Sequence, residues 1–179
     1  MKLFIGCSSS EQIPQIYIKD CENYLKELFK LDNTLVFGAY NKGLMAISYE
    51  QALNNNKEII GITPKIFKED LKELNCTKEI ITNSISERTE KLIEESDVLI
   101  FLPGGIGTIY ELLTAIESKR SKEFDKPIII YNSNHYFDNL LLFLDNIYNQ
   151  NFTNKSVKNC YHISNNITDT IEYINNYYN

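Results

Sequence analysis

The sequence predicts an α/β protein built on a doubly wound parallel sheet. Short apolar runs alternate along the chain with longer segments of helical period, which is the pattern of strands joined by crossover helices. The 179 residues are 43% hydrophobic and 23% charged, enough to form one globular core. Linkers, repeats and low-complexity segments do not interrupt this alternation, so we expect a single domain over residues 1–179.

The predicted strands are β-branched or aromatic and almost continuously apolar. Strands that are buried on both faces of a parallel sheet have this composition. The first six are Lys2–Gly6, Thr34–Phe37, Glu58–Thr63, Lys78–Ile81, Val98–Leu102 and Pro127–Tyr131, and a weaker one is Cys160–Ile163.

The predicted helices lie between these strands and carry apolar residues at helical spacing. They are Ile13–Leu31, Gly43–Asn54, Ile66–Leu74, Ser86–Glu95, Thr108–Lys119, Phe137–Gln150 and Ile167–Tyr178. A sheet of this Rossmann-like type binds ligands at the carboxyl ends of its strands. The loops 6–10, 38–43 and 103–108 are therefore expected to form the site.

Composition and charge exclude several classes of protein. A net charge of −6 argues against a nucleic-acid partner, and no apolar run approaches the length of a membrane span. The N-terminal apolar run is too short for a signal peptide. Four scattered cysteines form no zinc-type spacing, so we expect free thiols in a reducing cytoplasm.

The segment FLPGGIGTIYE, residues 101–111, holds the strongest local signal. Glycines between a strand and a helix allow a phosphate to approach backbone N–H groups at the positive end of the helix dipole. The same glycines could form only a tight turn. Glu111 likewise has two readings, because it could close a capping box with Thr108 or face the ligand beside the phosphate.

These residues resemble the LONELY GUY family, the cytokinin riboside 5′-monophosphate phosphoribohydrolases once described as lysine decarboxylases. PGGIGTIYE is similar to the family motif PGGxGTxxE, and GCSSS at 6–10, GLM at 43–45 and GITPKIF at 61–67 resemble further family segments. SDVLIFLPGG at 96–105 and DKPIIIYNSNHYFDNLLLFLD at 125–145 extend the resemblance over nearly the whole chain. In ISERT at 85–89, Arg88 stands where the family has an arginine.

The resemblance implies a hydrolase that cleaves the N-glycosidic bond of a nucleoside 5′-monophosphate, either AMP or a cytokinin riboside 5′-monophosphate. It implies Arg88 and Glu111 as the catalytic pair, no metal or other cofactor, and a homodimer. Tyr40 and Ile85 are the candidates for the base side of the site. Implied phosphate and ribose contacts come from two loops: Ser8, Ser9, Gly104, Gly105, Ile106, Gly107 and Thr108.

The second loop departs from the family pattern GGGxxGLM. Ala39 and Tyr40 replace two glycines, so any positive φ there would cost roughly 1 kcal/mol or more. Tyr40 could cover the base or block the pocket. A non-catalytic nucleotide-binding, sensing or carrier protein, such as the molybdenum-cofactor carriers of the same superfamily, is the alternative function.

Overall fold

Seven parallel strands form one sheet at the centre of the molecule. The computed structural model describes the backbone of residues 1–179 and the side chains outside residues 70–72. Every residue of β1 after Lys2 is buried, and so are all residues of β3, β5 and β6, as the apolar runs predict. The strands are β1 Lys2–Gly6, β2 Thr34–Phe37, β3 Ile59–Pro64, β4 Lys78–Thr82, β5 Val98–Phe101, β6 Ile128–Tyr131 and β7 His162–Ser164.

Helices cover both faces of this sheet. The α-helices are α1 Gln15–Leu28, α2 Gly43–Asn54, α3 Ile85–Glu94, α4 Ile106–Arg120, α5 Asp138–Asn149 and α6 Ile167–Tyr178. Residues of α1, α2 and α6 pack in one buried cluster, and residues of α3, α4 and α5 pack in the other. The architecture is therefore the three-layer, Rossmann-like α/β fold that the sequence predicts.

The strand order places a topological switch point beside β1. From β1 the chain adds β2, β3 and β4 on one side, then returns to add β5, β6 and β7 on the other. All six strand pairs are parallel. The loops after β1 and β5 consequently diverge at the carboxyl edge, which is where open α/β sheets bind ligands.

Two predicted helices differ from the observed ones in ways that affect the site. Residues Lys65–Glu73 form a 3-10 segment, not the α-helix predicted over 66–74. Helix α4 begins at Ile106, two residues before the predicted start at Thr108. Within the described part of the chain, no helix combines the length and the apolar character needed to cross a bilayer.

Candidate active site

A cleft of about 660 Å³ opens at the carboxyl edge of the sheet, beside the switch point. Its walls come from the loops after β1, β2 and β3, from one side of α3, and from the start of α4. Nine of the eleven residues predicted for the site line it: Ser8, Ser9, Tyr40, Arg88, Gly105, Ile106, Gly107, Thr108 and Glu111.

An ion pair between α3 and α4 lies in the wall of this cleft. The Arg88 Nη2 atom donates to Glu111 Oε1 at 2.7 Å, and the two side chains are only 14% and 3% exposed. The Arg88 Nε atom is also buried, and it has no hydrogen-bond partner among the described residues. A buried donor without an acceptor is costly, so the ion pair carries an unmet hydrogen bond in the protein as described.

Burial raises the pKa of the Glu111 carboxyl above its ordinary value. Desolvation is the largest cause, and the charge and hydrogen bond of Arg88 oppose it. A carboxylate with a raised pKa in a cleft is a better proton acceptor than an ordinary surface carboxylate. The capping-box alternative is not observed, because Glu111 contacts Arg88 and lies in the second turn of α4, not its first.

Helix α4 presents its N-terminus to the cleft through the loop of residues 103–105, called the glycine loop below. Gly105 is the N-cap residue, and no side chain caps the helix. A Cβ atom added at Gly105 or Gly107 would meet nothing within 4 Å, so packing does not require glycine at either position. Both residues line the cleft. Their missing side chains leave room for a ligand beside the first N–H groups of the helix.

The first loop is held against the glycine loop by backbone hydrogen bonds. Ser8 N donates to Pro103 O at 3.0 Å, and Met45 N donates to Ser8 O at 3.2 Å. Gly43 has a φ of 58°, and a Cβ there would lie 2.4 Å from Ser10 O. Glycine is therefore required at position 43, because only a residue without a Cβ lets the start of α2 lie this close to the first loop, residues 6–10.

The loop after β2, residues 38–43, has the positive φ angle that the sequence suggested would be costly. Ala39 has a φ of 53°, whereas Tyr40 is not among the residues with positive φ. Holding a buried alanine in this region costs about 1 kcal/mol. The Tyr40 ring lies on the cleft wall, so the altered loop changes the surface that a ligand would meet.

Two predicted site residues lie elsewhere. Gly104 is not on the cleft wall, and a Cβ at this position would lie 2.1 Å from Thr108 Oγ1, so this glycine serves close packing. Ile85 is exposed at the first residue of α3 and does not line the cleft.

Several lining residues were not predicted from the sequence. Cys7 follows β1 in the loop 6–10 that was expected at the site, but no role was predicted for its side chain. Thr63 lies inside the buried strand β3, so an apolar-run analysis assigns it to the core. Ile66 and Phe67 lie in the 3-10 segment at the cleft mouth and are exposed. The sequence did not indicate that these two side chains are exposed, because apolar residues at helical spacing are assigned to a buried face.

Solved structures place the molecule in the class of Rossmann-like α/β proteins. The molybdenum cofactor binding protein from Rippkaea orientalis superimposes with a TM-score of 0.72 over 99% of this chain and 97% of that one, at 20% identity. At this identity the likeness concerns the fold.

Sequence comparison then gives the family. Residues 45–174 match the family model described as "Possible lysine decarboxylase". "Probable cytokinin riboside 5'-monophosphate phosphoribohydrolase LOG6" from Arabidopsis thaliana is 32% identical over 83% of this chain and 74% of its own length. This chain belongs to that family, the LONELY GUY family.

The rice relatives are longer than the segment they share with this chain. "Probable cytokinin riboside 5'-monophosphate phosphoribohydrolase LOGL2" of Oryza sativa subsp. japonica is 28% identical over 88% of this chain, which spans only 65% of that relative.

Proposed function

We propose that this protein hydrolyses the N-glycosidic bond of a nucleoside 5′-monophosphate, with AMP as the simplest substrate. The observation that carries the proposal is the buried Arg88–Glu111 pair in the wall of a cleft that also contains the N-terminus of α4. Membership of the LONELY GUY family supports the same reaction.

The phosphate would bind at the start of α4. The N–H groups of Gly105, Ile106, Gly107 and Thr108 lie at the positive end of the helix dipole, and the open space at the two glycines admits an anion without a side-chain cation. Ser8 and Ser9, on the adjoining loop, would supply hydroxyl donors.

The ribose would then lie between the phosphate loop and Glu111. In the reaction the bond between C1′ and the base nitrogen breaks, the oxygen of water bonds to C1′, and a proton reaches the departing base. Glu111 would accept a proton from the attacking water and stabilise positive charge that develops on the ribosyl ring. Its raised pKa suits the first of these roles.

Arg88 would hold the carboxylate and bind the substrate at the same time. One guanidinium nitrogen, Nη2, is committed to Glu111, while the buried Nε–H lacks a partner among the described residues. Arg88 lines the cleft and its guanidinium carries five N–H donors, so it can bind the carboxylate and the substrate together. Tyr40, on the wall formed by the second loop, would contact the base.

The experiment is a base-release assay on AMP, GMP, CMP, UMP and a cytokinin riboside 5′-monophosphate. Free base and ribose 5-phosphate are quantified by chromatography for the wild type and for Glu111→Gln. Because general base catalysis contributes about 10²–10⁴-fold, the variant should lose that much activity.

Glu117→Gln is the matched control, since it makes the same change on the same helix. Glu117 is exposed and pairs with Arg120 on the surface of α4. Its activity should equal that of the wild type. Wild-type protein that binds nucleotides and releases no base from any of them would contradict the proposal and favour a nucleotide-binding carrier.

A second copy of the chain is proposed to pack on the exposed side of α4. Ile106, Tyr110 and Leu113 follow the spacing of one helix face, and all three are exposed, Ile106 at 88%. Light scattering should give the mass of a dimer for the wild type. Leu113→Glu should give a monomer, because it places a charge in the proposed apolar contact, and a variant that stays dimeric would refute this face.

A further inference from the structure

The hydroxyl of Tyr136, a residue that does not line the main cleft, makes a hydrogen bond to the glycine loop. Its Oη atom donates to Gly104 O at 2.6 Å. Tyr136 and Tyr17 line a smaller cavity of about 230 Å³ that the loop also borders, and their rings meet edge to face with centroids 5.4 Å apart. Gly105 borders both the smaller cavity and the main cleft.

This contact fixes the orientation of one peptide group. The carbonyl of Gly104 and the N–H of Gly105 belong to the same peptide, and no cis peptide bond occurs among the described residues. In a trans peptide the two groups point in opposite directions. Because the carbonyl points to Tyr136, the Gly105 N–H points away from it, and it donates to no acceptor among the described residues.

The segment that carries Tyr136 is itself held in an uncommon conformation. Asn134 and His135, directly before it, have φ values of 46° and 62°. The Asn132 side chain secures the same turn by accepting from Phe137 N at 2.8 Å. Two successive non-glycine residues in the left-handed region persist only where the surroundings hold them, and such strain is concentrated at functional sites.

We propose that Tyr136 is a positioning residue that aims the Gly105 N–H at the substrate phosphate. The inference rests on the proposed function, because it assigns the phosphate to the N-terminus of α4. It adds a residue of the β6–α5 loop to the site, although that residue lies outside the cleft and touches no substrate.

The experiment compares Tyr136→Phe with Tyr17→Phe. Each change removes one hydroxyl from the smaller cavity and keeps the ring, and the Tyr17 hydroxyl has no hydrogen bond to the described residues. Binding of ribose 5-phosphate and of ribose is measured by calorimetry for the wild type and both variants. Because a hydrogen bond to a charged group is stronger than one to a neutral group, misaiming one donor should weaken ribose 5-phosphate binding by about 10-fold or more.

The phosphate dependence separates positioning from general loosening of the fold. Tyr136→Phe should raise KM for AMP by the same factor and leave kcat within about 2-fold, since the phosphate contact is equal in ground and transition states. Affinity for ribose should not change. If Tyr136→Phe binds ribose 5-phosphate as tightly as Tyr17→Phe, the inference is wrong while the proposed function stands. If the wild type does not bind ribose 5-phosphate, both the inference about Tyr136 and the proposed function are wrong.

Discussion

Replacing Arg88 by methionine should destabilise the protein through the carboxylate that it leaves behind. Methionine keeps an unbranched apolar stem but removes the only ion-pair partner that Glu111 has among the described residues. Glu111 would then be an uncompensated buried acid at the carboxyl edge of the sheet.

The structure sets the size of this effect. With 2.7 Å between Nη2 and Oε1, the direct attraction is about 6 kcal/mol at an effective dielectric constant of about 20. Desolvation of both groups offsets much of it, and breaking buried pairs usually costs about 3–5 kcal/mol. For a domain of this size each kcal/mol lowers Tm by about 2–4 °C, so Tm should fall by about 6–20 °C.

The loss of stability in Arg88→Met should depend on pH. The pKa of Glu111 is already raised in the folded wild type, and loss of the Arg88 charge raises it further. A raised folded-state pKa contributes stability at low pH that is lost as pH rises through that pKa. The deficit of Arg88→Met should therefore be largest near neutral pH and narrow as the carboxyl becomes protonated.

Urea unfolding of the wild type and Arg88→Met at about pH 7.5 and about pH 5 tests this reasoning. The double variant Arg88→Met/Glu111→Gln serves as the control, because it removes the buried charge and should recover part of the lost stability. A deficit below about 1 kcal/mol, or one equal at both pH values and in both variants, would refute the account of the pair.

Three further predictions follow from the same site. Gly107→Ala should increase the free energy of unfolding by about 0.5–1 kcal/mol, because it removes a helical glycine without a clash. The same change should weaken AMP binding measured by calorimetry, and unchanged affinity would contradict the assignment of the phosphate to the start of α4. Gly43→Ala should lower the free energy of unfolding by more than about 1 kcal/mol in urea unfolding, since its Cβ would meet Ser10 O. A variant as stable as the wild type would show that the loop 6–10 moves away at no cost. The pH profile of kcat should fall towards acid with an inflection above the ordinary pKa of a glutamate, because Glu111 must be ionised to accept a proton. A profile without such an acidic fall would exclude Glu111 as the base.

The fold was largely predictable because its signal is local. Strands β1 and β2 have the predicted bounds, since each is a short apolar run with polar residues or glycine beside it. Helix α2 also begins and ends as predicted, at Gly43 and Asn54. By contrast, residues 65–73 have a helical period but form a 3-10 segment, and periodicity does not distinguish the two.

The site was less predictable because its key contacts join distant parts of the chain. Arg88 and Glu111 are 23 residues apart, and only the family resemblance paired them before the structure showed the ion pair. The start of α4 was misplaced because Thr108 is a good cap by residue type, whereas the helix begins after the glycine loop at Ile106. Tyr136 reaches Gly104 across the sheet edge, so no spacing rule relates them.

Single-turnover cleavage of AMP tests the central claim most directly. With the protein in excess, nearly all AMP is bound, and the products are followed over time. The account predicts that the wild type converts bound AMP into equal amounts of adenine and ribose 5-phosphate, while Glu111→Gln binds AMP and leaves it intact. Recovery of intact AMP from the wild type, bound in the cleft over the same period, would contradict the account.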